Sequence, residues 1–551
     1  MHSLPSRIIA AILTLLTWQC RTSAEANGGQ QQSLGGSFRI AGHVVNSKTG
    51  YPLARARVTI TDARNPQRVL SILTSDDGKF EFSGVTAGKF ALEGAKRGFI
   101  RGSYDQHEQF STAIVTDAGI DTENLTLRLD PFAVLTGKVL DESGDPVRNA
   151  TVTVYREDHF SGVSRIRRFR TGQTDDRGSY EISALDAGTY FLAVRAKPWY
   201  EVHPLKSQPA AAENPPTAVD SSLDVAYPTT YYADTTQSDE ATPIPIRGGD
   251  HIEVDIHLNP VPALHLLMQA PNERNGVGMP MLHESTFENS EQVLSAGIQR
   301  VSPGLYEITG VPAGHYTARF TNGGQVGPPT PVDLTSDGQE LSAPSSEGWV
   351  TLKATVRISG QTKLPAELLV LLRDSKGKTV TGQEADAEGQ ADFGTIAPGT
   401  YNLAAYTSNT AYSVVRISAQ GTEISGHSLT VSAGSPMVVS LTLAAGVVNV
   451  EGFARRAGKA APGVMIALVP KDPENNRELF RRDQSDLDGS FNLRSVIPGT
   501  YTVVAIENGW DLDWAQPAVI AHYAEQGETL TIDYRSQGTV HLTRAVEVQP
   551  R

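Results

Sequence analysis

The chain has 551 residues with 61 acidic and 47 basic side chains, a formal net charge of -14. That balance excludes a nucleic-acid binder, because phosphate contact needs a dense Lys/Arg surface. Fifty glycines and 32 prolines suit short strands joined by many turns, and the length allows about three to five domains.

Arg7 followed by the apolar run Ile8–Leu16 and by Ala24-Glu25-Ala26 reads as a secretory signal peptide, residues 1–26, cut after Ala26. The apolar run is shorter than the ~20 residues of a membrane span. The only cysteine, Cys20, falls inside this peptide, and the bulky Trp18-Gln19 before it disfavour lipidation. The mature chain is then expected to lack disulfides and thiolate chemistry. Residues 27–36 read as a polar, Gly-rich lead-in.

One phrase then recurs five times. It runs from Gly78 through Phe80, Phe82 and Gly88 to Phe90, and from Gly178 through Tyr180, Ile182 and Gly188 to Tyr190. It returns as Gly304–Tyr316, Gly389–Tyr401 and Gly489–Tyr501. Two glycines stand ten apart, with an aromatic two residues after the second. Such a period marks tandem domains. The expected units are 37–130, 131–260 with a Pro-rich insertion at 198–249, a degenerate 261–347, 348–445, and 446–551 with a C-terminal tail. Within the phrase, glycine serves turns, and the two aromatics are expected to meet across adjacent strands of a hairpin.

Period-2 alternation supports strands throughout. Ala54, Ala56, Val58 and Ile60 alternate with polar residues, as do Phe80 and Phe82, Leu125, Leu127 and Leu129, and Val152 and Val154. The third unit keeps only Gly304–Tyr316 clearly, the fifth ends in Thr529–Ile532, and no helical period of useful length appears. The fold class is all-β, a tandem array of about five antiparallel sandwiches.

The second unit strings together Gly137-Lys-Val139, Gly144-Asp-Pro146, Ala150-Thr-Val152-Thr-Val154, Thr174-Asp175 to Gly178, Tyr180 and Gly188-Thr-Tyr190. This order resembles the carboxypeptidase regulatory-like domain, related to transthyretin-like and collagen-adhesin B-type modules. The resemblance covers most of 37–535 and implies a seven-stranded prealbumin-like sandwich, grouped with carbohydrate-binding-like folds, that serves as an accessory module. No catalytic carboxypeptidase domain accompanies it.

Candidate chemistry is sparse. Asp486-Leu-Asp488-Gly489 imitates part of a calcium loop but lacks the distal Glu, and Asp before Gly is ordinary turn composition. His251, Glu253, Asp255 and His257 alternate with Ile252, Val254, Ile256 and Leu258, so a solvated outer face explains them better than a metal. No nucleophile elbow, zinc motif, phosphate loop or cofactor motif is present, and no cofactor is expected. The aromatics Trp199, Tyr200, Tyr227, Tyr231 and Tyr232 in the insertion, and Trp510 and Trp514 beyond the last repeat, offer flat amphipathic rings. Such rings suit sugars or protein partners, or else cover a sheet face. The chain reads as an exported, non-catalytic binding or scaffold protein in the periplasm, on the outer surface or outside the cell. Its expected partners are a glycan or an envelope protein. A structural spacer is the alternative, and an enzyme with an unrecognised site is a weaker one.

Overall fold

A computed structural model describes residues 35–205 and 220–551. It leaves aside 270–279, 294–296, 323–324, 327–329, 343–349, 360–362, 375–378, 408–410, 420–421, 425–427, 446–447, 534–535, and residues 288, 433, 435, 475 and 537. The signal-peptide reading, most of the lead-in and the centre of the Pro-rich insertion lie outside the described residues.

Five separate hydrophobic cores follow one another along the chain, between separate sheets in the first three units and enclosed by one continuous nine-stranded sheet in each of the last two. In the first, Lys79–Val85, Phe38–Asn46 and Leu125–Leu129 form one sheet. Asn65–Leu73, Arg57–Asp62 and Gly88–Ala95 lead the other. Alternation decides which side chains face inward: Ile40, Val44, Phe80, Phe82, Val58, Ile60, Phe90 and Leu92 are all buried. The closing strand pairs parallel with the opening one, Gly42 opposite Leu125. The same parallel closure joins Ala133–Leu140 to His251–Glu253, and Val350–Ile358 to Met437–Ala445.

This topology corrects the reading of the repeated phrase. Its two strands do not form a hairpin. Lys79–Val85 pairs with the opening strand, whereas Gly88–Ala95 pairs with Arg57–Asp62 in the opposite sheet. The phrase crosses the sandwich, so Phe80 and Phe90 enter the same core from opposite sheets rather than pairing along a ladder.

Each glycine of the phrase has its own task. The first adopts positive φ in every copy, +74° at Gly78 and +68° at Gly178. Its carbonyl accepts from the opening strand, as Val44 N–H to Gly78 O at 2.8 Å and Val139 N–H to Gly178 O at 2.9 Å. The second makes room for the aromatic that follows. A Cβ on Gly499 would lie 3.1 Å from the Tyr501 ring, and one on Gly314 3.3 Å from Tyr316. With the ring folded back, the hydroxyl donates to a carbonyl four residues upstream. Tyr190 reaches Asp186 O at 2.9 Å, Tyr316 Pro312 O at 2.7 Å, Tyr401 Ala397 O at 2.8 Å and Tyr501 Ile497 O at 3.0 Å. This is the tyrosine corner of β-sandwiches, built into four domains, while Phe90 fills the same place in the first.

Three further expectations are adjusted. The third unit is not short of its first half. Leu264–Gln269 opens it, pairing parallel with Gln339–Ser342 and antiparallel with Leu305–Val311. In the fifth, Glu528–Ile532 does not close the domain but pairs with Gly499–Ile506. Closure falls to Thr539–His541 and Val546–Gln549, both parallel to Val448–Arg456. A helix, Pro517–Ala524, follows Trp514, with Pro at its first turn and Ile520 and Tyr523 buried. At eight residues it is too short for a periodic signal. No described helix is long and apolar enough to cross a membrane.

Candidate functional site at the domain junctions

The turns before the first glycine show how a repeated structural device acquires a new task. In the second domain, Asp175 Oδ1 accepts from Arg177 N–H at 2.9 Å and Ser179 N–H at 2.8 Å. In the fourth, Asp386 does the same for Glu388 and Gln390. Both carboxylates serve their own turns. The corresponding Asp486 instead reaches across to the first domain, accepting from Ala113 N–H at 3.0 Å and from Lys89 Nζ at 2.6 Å. Leu487 N–H donates to Ala113 O at 3.0 Å, and the Leu487 side chain packs against the first domain's core. Burial pushes the Asp486 carboxyl up although Lys89 opposes it, and burial pushes the neighbouring Asp483 up to about 6.

The contact broadens from there. Gln484 Nε2 donates to Asp105 O and to Thr112 Oγ1 at 2.8 Å, and Arg482 pairs with Glu108 at 2.6 Å. Trp510 stacks on His107 at 4.9 Å with the rings 7° apart, and Phe110 lies 5.6 Å away. The Arg482 guanidinium sits 4.3 Å over Trp514. The second domain joins in: Asp513 Oδ1 faces His159 Nδ1 at 2.9 Å and accepts from Ser164 N–H at 2.8 Å, while Ala515 N–H donates to Gly162 O at 2.9 Å. Between these three domains runs a cleft of about 1350 Å³. Arg101, Arg128, Arg156, Asp158, Phe160 and Trp510 are among its lining residues. The Trp510 and Trp514 indole N–H groups are buried without a hydrogen-bond acceptor.

A second junction joins the second and third domains. Phe287, in the turn after Pro280–Thr286, enters a ring of Phe191, Tyr155 and Tyr231 with centroids 5.1–5.5 Å away. Tyr231 donates to Thr286 Oγ1 at 3.3 Å, Thr229 to Glu284 at 2.7 Å, and Arg168 and Arg195 approach the buried Glu291. Burial pushes the Tyr231 hydroxyl up to about 12.

The seven aromatics singled out in the sequence are therefore placed unequally. Trp510, Trp514, Tyr227 and Tyr231 are buried, and Tyr232 is half-buried against the second domain's core. Tyr200 and Tyr227 both donate to Glu142. Burial raises the Glu142 carboxyl, but these hydroxyl bonds outweigh it and leave it lowered. Trp199 alone stands out, 87 % exposed, its ring edge-on to Tyr200 at 5.6 Å. His251, Glu253, Asp255 and His257 lie on the solvent side while Val254, Ile256 and Leu258 are buried. Asp255 caps Lys138 N–H, and His257 turns to Asp234. The partners of Asp486, His107 and Asp513 were out of reach of sequence reasoning, since each lies more than 350 residues from its contact. One local signal existed: Leu487 is an apolar residue in a turn whose counterparts are Asp76-Asp77 and Asp176-Arg177.

No curated protein matches the chain. Solved structures with a likeness include the TIE protein of Bacillus anthracis, at 12% identity, 74% of each chain and a TM-score of 0.18. The minor pilin GBS52 of Streptococcus agalactiae matches at 15% identity over 41% of this chain and 97% of its own, TM-score 0.21. Two B repeat units of the collagen-binding protein of Staphylococcus aureus match at 10% identity over 74% and 99%, TM-score 0.12. Scores this low leave the fold to rest on the sheets themselves. The carboxypeptidase regulatory-like domain family matches twice, at residues 39–128 and at 134–213. These matches take in the opening strand, the αL glycine and the G-x-F or G-x-Y element of the first and second sandwiches, and the chain thus has two tandem stretches similar to the carboxypeptidase regulatory-like domain.

Proposed function

We propose that this chain is an exported, non-catalytic scaffold of the cell envelope whose last domain is clasped onto its first two, forming a cleft that receives a glycan. The observation that carries this reading is the turn Asp486–Gly489, diverted from its ordinary role to hold Lys89 and Ala113 of the first domain. A chain folded back in this way has less reach than five sandwiches end to end, which disfavours a plain spacer. The glycan part rests on the cleft's composition. Paired arginines and carboxylates, with the exposed Phe160 at its wall, supply the planar hydrogen bonding and a ring face that sugars require. Trp199 is a separate exposed ring for the same class of ligand.

Zero-length carbodiimide coupling of the dilute monomer tests the clasp. A Lys89–Asp486 cross-linked peptide is expected in its mass spectrum, and its absence refutes the back-folded arrangement. Polysaccharide pull-down with Phe160→Ala and Trp199→Ala separates the two glycan surfaces. A parent protein that retains no polysaccharide removes the glycan reading and leaves the scaffold.

A further inference from the structure

Six charged or titratable side chains alternate in sign across the junction between the Pro-rich insertion and the third domain. Lys197 Nζ lies 3.7 Å from Glu201, and Glu201 Oε2 faces His203 Nε2 at 3.4 Å. His203 Nδ1 meets Asp224 Oδ1 at 2.8 Å. Asp224 Oδ2 meets His265 Nε2 at 3.2 Å, and His265 Nδ1 meets Glu307 Oε1 at 2.8 Å. The interior members are enclosed: the His203, His265 and Glu307 side chains are 3 %, 1 % and 1 % exposed. Among the described residues, the rest of the lining of the cavity of about 440 Å³ beside His203, namely Leu205, Gly297, Ile298, Gln299 and Thr309, is uncharged.

Counting protons shows what this row needs. Three imidazole nitrogens hydrogen-bond carboxylate oxygens, and the fourth, His203 Nε2, is buried beside Glu201 Oε2 without a hydrogen bond to it. A neutral imidazole has one N–H and one lone pair. Two neutral rings supply two protons to these three bonds and one ion contact, so two lone pairs would face carboxylates from buried nitrogens, which is costly. The count is independent of tautomer, because moving a proton within a ring only moves the clash.

We propose that this row is a proton-operated latch, closed when His203 carries a proton on both nitrogens and loosened when it loses one. It joins three stretches of chain. Glu201 and His203 begin the insertion, Asp224 lies early in its second described stretch, and His265 and Glu307 belong to the third domain's sheet. Backbone bonds lie over the same seam, Val202 N–H to Leu223 O and Ala263 N–H to Asp224 O, both 2.9 Å. Geometry and electrostatics agree at His203. Burial lowers its proton affinity, but the neighbouring Glu201 and Asp224 carboxylates outweigh it, and the ring is raised above its ordinary value. A raised base binds the proton in the closed state, so the stabilisation is complete below about 6.5 and is lost as pH climbs through the raised value.

Amide hydrogen exchange of the full chain, corrected for intrinsic rates, tests this at Val202 and Ala263. Their protection should be constant at pH 5–6 and then fall with rising pH, by up to about tenfold per pH unit for each proton released. His203→Gln retains a donor but cannot titrate, so its slope should be shallower by one proton. His265→Gln provides a second variant on the other side of Asp224. Wild-type protection that stays flat from pH 6 to 9 overturns the latch even if neither variant folds, and so does a slope that survives unchanged in His203→Gln.

Discussion

Replacing His107 with alanine isolates the clasp from the folds it joins. His107 lies in an exposed turn of the first domain, and its ring meets the fifth domain at two points. It stacks on Trp510 at 4.9 Å, and its Nδ1 bonds Gln484 Oε1 at 3.1 Å. An aromatic pair contributes about 0.5–1.5 kcal/mol beyond its area, and a hydrogen bond about the same. Together the loss is about 1–3 kcal/mol, or roughly 5- to 150-fold in the opening equilibrium. The Leu487 amide reports that opening directly, because its acceptor is Ala113 O in the other domain. The Ala515 amide does so at the second domain, through Gly162 O. In the slow-exchange regime both should exchange faster by that factor. The Val503 and Ala505 amides, in the fifth domain's central strand, should not change. Combining His107→Ala with Trp510→Ala should give a coupling energy of about 0.5–1.5 kcal/mol. Unchanged exchange at Leu487, or an equal acceleration in the central strand, would refute the reasoning: either the domains do not touch, or His107 supports a fold rather than a junction.

Other consequences follow from the repeated device and the buried acids. Tyr190→Phe removes a buried hydroxyl bonded to both Asp186 O and Asp186 Oδ1, and should cost about 1–2 kcal/mol. Calorimetry should show one transition lowered by about 4–16 °C with the rest unmoved. Gly178→Ala should cost about 2–4 kcal/mol, since its Cβ would lie 2.6 Å from Val139 O at φ +68°. Gly144→Ala, at φ +81° with open space around it, should cost only about 1 kcal/mol. Asp483, held near 6 by burial, binds a proton when folded that the unfolded chain lacks between pH 4 and 6. The fifth domain should therefore lose about 1–3 kcal/mol as pH rises through that window. In Asp483→Asn the loss should shrink to the part that Asp486, pushed the same way, contributes. Chemical denaturation midpoints at pH 4 and 7 measure both.

Local pattern carried most of the fold. Phe80 and Phe82, or Val152 and Val154, announce half-buried strands because side chains alternate across a sheet whatever lies beyond it. The αL glycines were equally legible, since only local sterics decide them. The direction of the chain after Val85 was not. A turn of the same composition can lead to the next strand or across the sandwich, and only the facing layer distinguishes these. The third unit's opening, Leu264–Gln269, was obscured by the buried polar His265, which breaks its apolar alternation.

The sequence by itself determined five sandwiches, their turn chemistry and the absence of any familiar catalytic motif, because each depends on spacings of a few residues. The tertiary structure decided what the spare aromatics and carboxylates do. Asp175 and Asp486 occupy equivalent turns, yet the first serves its own turn and the second holds a lysine 397 positions away. Trp510, read as a ring for a ligand, stacks on His107 of the first domain. Contacts of that span leave no periodic trace, since either partner alone is compatible with solvent, and only the folded chain brings them together.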